Sequence, residues 1–169
     1  MKMIKYSKII FLLLLISMNV GCDQITKKEV REHIAPHEVI EIIDKNLILT
    51  KVENTGAALS LGTNLSPILK LVFLQALPIV FMLGLLVYLL ASSKLSKLHQ
   101  IALAFIIGGG IGNLFDRVKY DSVTDFMFIE IGPFKTGIFN MADVSISIGA
   151  IIILVTAFSE KIRGHSAQS

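Results

Sequence analysis

The sequence predicts a membrane protein with an all-α core of four transmembrane helices and both termini in the cytoplasm. Of its 169 residues, 53% are hydrophobic, and the mean hydropathy is +0.71. Soluble domains are roughly 45 to 50% apolar even when glycine is counted. Apolar runs of spanning length recur four times, and lysines cluster beside them in a pattern typical of membrane topology.

Four apolar stretches have about the length that a helix needs to cross a bilayer. They cover residues 7–21, 68–91, 101–116 and 138–158. Four such helices and their loops leave no room for a second domain, so we predict one integral-membrane domain over residues 1–169. Acidic residues end the first and third stretches, and we expect these polar ends at the membrane interface or inside the bundle.

The distribution of basic residues predicts the orientation. They precede the first stretch, separate the second from the third, and follow the fourth: Lys2, Lys5, Lys8, Lys94, Lys97, Lys161 and Arg163. Because cytoplasmic loops are enriched in Lys and Arg, both termini are expected inside the cell. Residues 23–66 and 117–137 then face the outside, and they contain most of the acidic residues.

The first outer segment contains two different patterns. Apolar residues within residues 27–44 are compatible with short amphipathic helices, broken at Pro36, that lie on the membrane surface. Residues 46–52 are rich in β-branched and apolar side chains. This second pattern predicts one strand of a small sheet.

The amino terminus has two interpretations. Its lysines, its apolar run and residues 19–22 (NVGC) have the outline of a cleavable lipoprotein signal peptide. Asn19 stands where that pattern favours a large apolar residue, and three further spans exceed what an anchored lipoprotein needs. We therefore interpret Cys22 as a small residue at the outer end of an uncleaved helix.

Other function classes fit the sequence poorly. The net charge of +3 comes from scattered lysines beside apolar segments, so no nucleic-acid partner is predicted. His33 and His37 are four residues apart but lack the HExxH order, and no metal site is predicted. Residues 108–112 (GGGIG) contain a small-xxx-small pattern that permits close helix contact. No GK[ST] follows them, which argues against a phosphate loop.

Polar residues near membrane depth are the best functional pointers, since each charge costs roughly 2.5 to 3.5 kcal/mol there on insertion scales. Asn113 stands three and four residues before Asp116 and Arg117, which places all three on one helical face. We expect Asp116 and Arg117 to pair structurally, because a nearby Arg stabilises an ionised carboxylate.

A second pair of carboxylates has a different character. Asp143 lies inside the fourth stretch with no neighbouring cation in the sequence, and Asn140 precedes it by one turn. Asp125 lies in the outer loop, near enough in sequence for the loop to fold back on Asp143. By spacing alone, Asp125 is equally compatible with a solvated loop residue. Two carboxylates facing each other in a dry site would share a proton, which is the chemistry of aspartyl proteases.

Five sequence blocks in order resemble the lipoprotein signal peptidase family, also called signal peptidase II. They are residues 23–27 (DQITK), 54–60 (NTGAALS), 108–117 (GGGIGNLFDR), 123–126 (VTDF) and 139–143 (FNMAD). Two positions depart from the pattern: Leu59 stands where family members commonly have Phe, and Cys22 makes the first helix resemble a substrate.

The resemblance implies a bacterial inner-membrane enzyme that cleaves signal peptides just before a diacylglyceryl-modified cysteine. It implies no metal or organic cofactor, a small extracytoplasmic β cradle, contact with membrane lipid, and no obligatory protein partner. Asp125 and Asp143 are then the catalytic pair. Seven further residues line or brace the site: Asp23, Asn54, Gly56, Asn113, Asp116, Arg117 and Asn140.

Two other classes remain open from the residues alone. Membrane carboxylates also serve proton relays, so a small proton-coupled transporter or channel subunit is one alternative. A structural lipoprotein anchored through Cys22 is the other. Transport without proteolysis distinguishes the first alternative, and the mass of the mature amino terminus distinguishes the second.

Overall fold

The computed structural model describes residues 2–166, which form a helical bundle with a small sheet at one end. The helices are α1 (Lys2–His33), α2 (Pro67–Lys70), α3 (Leu77–Ala91), α4 (Lys97–Tyr120) and α5 (Met141–Ser166). The strands are β1 (Ile40–Ile43), β2 (Leu47–Asn54), β3 (Val123–Ile131) and β4 (Phe134–Lys135). A π-helical segment, Leu71–Ala76, joins α2 and α3 into one continuous second span.

Four stretches of the described chain are long and apolar enough to cross a membrane. They are Tyr6–His33, Pro67–Ala91, Lys97–Tyr120 and Met141–Ile162. The predicted four-helix core is therefore confirmed, together with a small antiparallel sheet. The third helix extends beyond both ends of the predicted residues 101–116, because an apolar run marks only the most hydrophobic part of a helix.

Helix α1 is much longer than the predicted residues 7–21. It continues through Asp23, Lys27 and Arg31, which recur every four residues and so lie on one helical face. At 1.5 Å per residue, α1 is about 48 Å long and exceeds a hydrocarbon core of about 30 Å. The prediction of short amphipathic helices within residues 27–44 was wrong. The helix ends three residues before Pro36, and the later apolar residues form β1.

The second span changes its helical geometry in its first half. Ser66 caps its start by accepting a hydrogen bond from the Leu69 amide, and Pro67 occupies the first turn. The π-helical segment ends next to Pro78, which has no N–H group to continue the preceding turn. The helix is thus locally widened just before this proline.

The sheet is antiparallel in the order β1-β2-β3-β4. Strand β2 overlaps the strand predicted over residues 46–52, beginning one residue later and ending two residues later, and pairs with β3, so that Val52 lies opposite Asp125. Between Leu49 and Val52 the register shifts by a β-bulge. Bulges bend a strand and redirect its side chains, and they are frequent beside active sites.

Glycines allow α4 to pack closely against its neighbours. A Cβ atom on Gly108 would lie 2.6 Å from the Cβ of Asn19, and one on Gly112 would lie 2.6 Å from Oδ2 of Asp23. A Cβ on Gly109 would collide with the carbonyl oxygen of Ala142 in α5. The prediction that residues 108–112 serve helix packing is confirmed, and this packing brings α1, α4 and α5 together below the sheet.

Candidate active site

Asp125 and Asp143 line one cavity of about 860 Å³. Its polar wall also includes Asn54, Asn113 and Arg117, and the rest of its lining is mainly apolar. The cavity lies where β3 and the start of α5 meet the second span and α4. The structure thus brings together the two carboxylates that the sequence separates.

Two interactions fold the chain between the carboxylates back on itself. The backbone of Phe139 exchanges hydrogen bonds with Met127, and its carbonyl also accepts one from the Phe126 amide. The chain just before α5 therefore pairs with β3 at residues that directly follow Asp125. Helix α5 begins two residues after Phe139, which sets Asp143 beside the strand.

Asp125 is a buried carboxylate held by two amides. Its Oδ2 accepts a hydrogen bond from Nδ2 of Asn54 at 3.1 Å, and its Oδ1 accepts one from Nδ2 of Asn140 at 2.6 Å. Only 5% of the residue is exposed. Burial is the main cause that raises the pKa of Asp125 to about 6, and the charge of Asp143 also raises it, against the Asn54 and Asn140 hydrogen bonds. Asp125 is therefore not a solvated loop residue.

Asp143 occupies the first turn of α5 and closes a capping box with Asn140. The Asn140 amide donates to Oδ2 of Asp143 at 3.1 Å, and the Asp143 amide donates to Oδ1 of Asn140 at 3.0 Å. This reciprocal pair satisfies two backbone donors that a helix start leaves open. Nδ2 of Asn113 donates to Oδ1 of Asp143 at 2.9 Å. Each oxygen of Asp143 thus accepts one hydrogen bond.

Asn140 is the residue that connects the two carboxylates. It is fully buried, and its Nδ2 atom donates to Asp125 and also to Oδ1 of Asn113 at 3.1 Å. From the sequence, Asn140 was expected to lie one turn before Asp143 and to line or brace the site, but no contact with Asp125 was predicted. Its bond to Asp125 depends on the return of β3 towards α5, which the spacing of the residues does not reveal.

The predicted pair of Asp116 and Arg117 is wrong. Asp116 is fully buried and pairs with Lys27 at 3.2 Å and Arg31 at 2.8 Å, both on α1. Adjacent residues on a helix point in different directions, so Arg117 faces away from α1. Its Nη2 atom donates to the Gly56 carbonyl at 2.9 Å, and its buried Nε has no hydrogen-bond partner within residues 2–166.

A buried ionic cluster supports the cavity from the side of α1; the sequence predicted site roles for Asp23 and Asp116 but not for their partners Lys27 and Arg31. Lys27 and Asp23 are 2.8 Å apart and both fully buried. Arg31 donates to Thr124, the residue before Asp125, and Thr124 also donates its amide to Asp116. The four-residue spacing of the charged residues on α1 indicates one helical face and could have revealed the cluster. In the sequence these residues were assigned instead to a polar segment outside the membrane.

Gly56 allows a tight turn beside the carboxylates. Its amide donates to Oδ1 of Asn54 at 2.9 Å, while Nδ2 of Asn54 reaches both Ala57 and Asp125. A Cβ on Gly56 would lie 2.6 Å from the carbonyl oxygen of Leu61, so the turn excludes any larger side chain. Gly56 therefore fixes the orientation of Asn54 and presents its own carbonyl to Arg117.

Comparison with known proteins identifies the family. A family model described as signal peptidase (SPase) II matches residues 15–159. The chain belongs to this family. It is 35% identical over 140 residues to the lipoprotein signal peptidase of Listeria monocytogenes serovar 1/2a, covering 82% of this chain and 87% of that one. It is 33% identical over 134 residues to that of Syntrophus aciditrophicus, covering 79% and 83%.

Solved structures agree with the family in fold. One described as a bacterial membrane enzyme at 2.3 Å resolution has a TM-score of 0.79 and 28% identity, covering 89% of each chain. A second, at 1.9 Å, has a TM-score of 0.75 and 28% identity, covering 87% of this chain and 92% of that one. The resemblance that the five sequence blocks predicted is confirmed. Within residues 2–166, no group of three His, Cys, Asp or Glu side chains is placed to hold a metal ion.

Proposed function

We propose that this chain is an aspartyl endopeptidase that removes the signal peptide from diacylglyceryl-modified prolipoproteins, with Asp125 and Asp143 as its catalytic pair. The two carboxylates share one cavity, and amide donors hold all four of their oxygens. This shared arrangement is the observation that carries the proposal. The named relatives, both lipoprotein signal peptidases, support the same substrate class.

In the proposed reaction the pair holds one proton. The ionised carboxylate removes a proton from a water molecule as the water attacks the scissile carbonyl carbon. The protonated carboxyl donates a hydrogen bond and then its proton to the carbonyl oxygen, which forms a tetrahedral diol. Collapse of the diol breaks the C–N bond: one carboxyl gives its proton to the leaving nitrogen, and the other carboxylate takes a proton from a diol hydroxyl, which restores the singly protonated pair. The products are a signal peptide with a free carboxylate and a new amino-terminal cysteine.

The pKa of Asp125 suits this cycle. With a pKa of about 6 for Asp125, the pair keeps its shared proton up to a pH closer to neutral than a pair of ordinary aspartates would. The proton belongs to the pair, so either residue serves as acid while the other serves as base. The proposed roles of Asn54, Asn113 and Asn140 are to fix the carboxylates, and that of Arg117 is to offer its free Nε–H to the substrate backbone.

The single peptidase domain is proposed to span the bacterial inner membrane with both termini in the cytoplasm and the carboxylates near the outer face. The excess of Lys and Arg in the opposite loop and at both termini supports this orientation. A cavity with a mainly apolar lining between the second span and α5 is suited to a substrate that arrives within the bilayer. The diacylglyceryl chains would lie against this apolar wall.

Substitution of the carboxylates tests the proposal. Asp125→Asn and Asp143→Asn should each abolish cleavage of a lipid-modified precursor, measured by the appearance of the shortened lipoprotein. Asp121→Asn is a matched control, since Asp121 is exposed, lies outside the cavity and has a positive φ of 57° that Asn tolerates. Substantial cleavage by either cavity variant would refute the assignment. Equal turnover of a precursor without the diacylglyceryl group would refute lipid recognition.

A further inference from the structure

A second cavity, of about 760 Å³, lies between the start of α1 and the start of α4. Phe11, Leu12 and Ile101 form its apolar wall, and Lys8 and Lys97 contribute one cation from each helix. Its volume is within the range of roughly 300 to 1,000 Å³ that is usual for small-molecule sites. Neither lysine belongs to the active-site cluster.

This cavity lies at the end of the bundle opposite the carboxylates. At 1.5 Å per residue, Lys8 is about 28 Å along α1 from Lys27, and Lys97 is about 24 Å along α4 from Asn113. The hydrocarbon core of a bilayer is about 30 Å thick. If the carboxylates lie near one membrane surface, the two lysines lie near the other surface, at the depth of lipid headgroups.

Contacts at the cavity hold one cation in place and add further positive potential. The Lys8 ammonium donates to the Ser92 carbonyl at 3.1 Å, which uses one of its three N–H groups. Lys97 is the first residue of α4, and Ser96 caps that helix by accepting from the His99 amide. The positive end of the α4 dipole is therefore directed to the same place as both ammonium groups.

The chain segments at this end of the bundle are strongly basic in sequence. Residues 2–12, 90–102 and 155–166 contain seven Lys and Arg residues and a single acidic residue, Glu160. Glu160 is exposed and does not line the cavity. The described lining includes no carboxylate to neutralise Lys8 or Lys97. An anion at this site would therefore gain attraction from both lysines.

We propose that this cavity binds one anionic glycerophospholipid, whose phosphate lies between Lys8 and Lys97 and whose acyl chain lies along Phe11, Leu12 and Ile101. Basic pockets between transmembrane helices are a recurring form of anionic headgroup site. The apolar wall distinguishes this occupant from a free phosphate ion, because a free ion gains nothing from it. The site is separate from the peptidase cavity and does not depend on the proposed reaction.

Lipid retention by the purified full-length chain tests the proposal. Native mass spectrometry in nonionic detergent would compare phosphatidylglycerol with phosphatidylcholine of the same acyl chains. One phosphatidylglycerol should be retained in preference to phosphatidylcholine. Lys8→Gln and Lys97→Gln should each weaken retention about fivefold, the effect expected of one lysine near a headgroup. Lys161→Gln, an exposed substitution outside the cavity, should change retention less than twofold.

Three results would overturn the proposal. Equal retention of the two lipids would show that the retained lipid only surrounds the protein without a specific headgroup site. Equal loss in Lys161→Gln and Lys8→Gln would show a diffuse surface charge effect. Displacement of phosphatidylglycerol by inorganic phosphate at the same concentration would show an anion site without acyl recognition. All three lysine variants should keep the wild-type far-UV circular dichroism spectrum, which verifies that the chain is folded independently of the proposed reaction.

Discussion

The ammonium of Lys27 lies 2.9 Å from Oδ1 of Asn113, and Nδ2 of the same Asn113 lies 2.9 Å from Oδ1 of Asp143. Lysine can only donate hydrogen bonds, so Lys27 fixes which end of the Asn113 amide faces it. The other end, which carries the N–H groups, must then face Asp143. A fully buried residue on α1 thereby orients a donor to a proposed catalytic carboxylate on α5.

Replacing that donor tests the role of Asn113. Asn113→Asp keeps an acceptor for Lys27 but removes the N–H group and places a third carboxylate beside the pair. We expect kcat to fall by at least about 100-fold, comparable to the loss of one preorganised donor in other enzymes. We also expect the pH dependence of kcat to shift upwards, because added negative charge favours the protonated pair.

Asn64→Asp is the control for that substitution, since Asn64 is exposed and lies outside the cavity. It introduces the same charge outside the cavity that holds the carboxylates. An Asn113→Asp enzyme with a normal kcat and an unchanged pH profile would show that the hydrogen bond to Asp143 has no part in the reaction.

Removing the Lys27 charge should destabilise the fold as well as the site. Lys27→Met removes the cation that neutralises the charges of the fully buried Asp23 and Asp116. Breaking such a buried ion pair costs about 3 to 5 kcal/mol. The free energy of unfolding in mixed micelles would measure this loss. Lys28→Met is the neighbouring control, because its pair with Glu32 is exposed and 3.9 Å long, worth under about 1 kcal/mol. Similar losses in the two variants would contradict the structural role of Lys27.

The raised pKa of Asp125 predicts a direction for the pH dependence of stability. In the unfolded chain this carboxyl loses its proton near its ordinary pKa of 3.8. In the folded chain its pKa is about 6, so it keeps the proton to a higher pH. The folded state therefore loses stability from this group as the pH rises between those values. Relative to Asp125→Asn, the wild-type chain should gain about 1 kcal/mol of unfolding free energy between pH 7 and pH 5. Parallel stability profiles for the two proteins would refute the raised pKa.

Gly56 and Gly21 provide a matched pair of glycine substitutions. Gly56→Ala would force a Cβ to within 2.6 Å of the Leu61 carbonyl oxygen, so the turn that orients Asn54 must shift. Gly21→Ala meets no atom within 4 Å and lies inside α1, where alanine is favoured over glycine by up to about 1 kcal/mol. Gly56→Ala should lower kcat/KM about tenfold or more, and Gly21→Ala should keep it. Full activity in Gly56→Ala would contradict the need for this turn.

The sequence predicted the parts of the fold that depend on local hydrophobicity. The four spans follow from apolar runs, and β2 follows from its β-branched residues. The extension of α1 was not predicted, because Asp23, Lys27 and Arg31 have the composition of a loop when they are considered alone. Their burial is possible only because α4 supplies Asp116 and Asn113 as partners.

The site was predicted only in part for a similar reason. The energetic cost of burying a carboxylate pointed to Asp143 from the sequence alone. Asp125 was assigned to the site only through the resemblance of the sequence blocks to the signal peptidase II family. Asp116 and Arg117 were paired because both were assigned to one helical face, yet the side chains of adjacent helical residues leave the helix in different directions. The partner of each is on another element: Lys27 for Asp116, and Gly56 for Arg117.

Asp125 and Asp143 are proposed to act as one unit that shares a proton, and a double-mutant cycle measures whether they do. Values of kcat/KM for cleavage of a lipid-modified precursor would be compared among wild type, Asp125→Asn, Asp143→Asn and the double variant. Residues that act as a unit are strongly non-additive, so the double variant should be within about threefold of either single variant. Losses that multiply in the double variant, or a single variant with more than about a tenth of wild-type activity, would contradict the shared-proton pair.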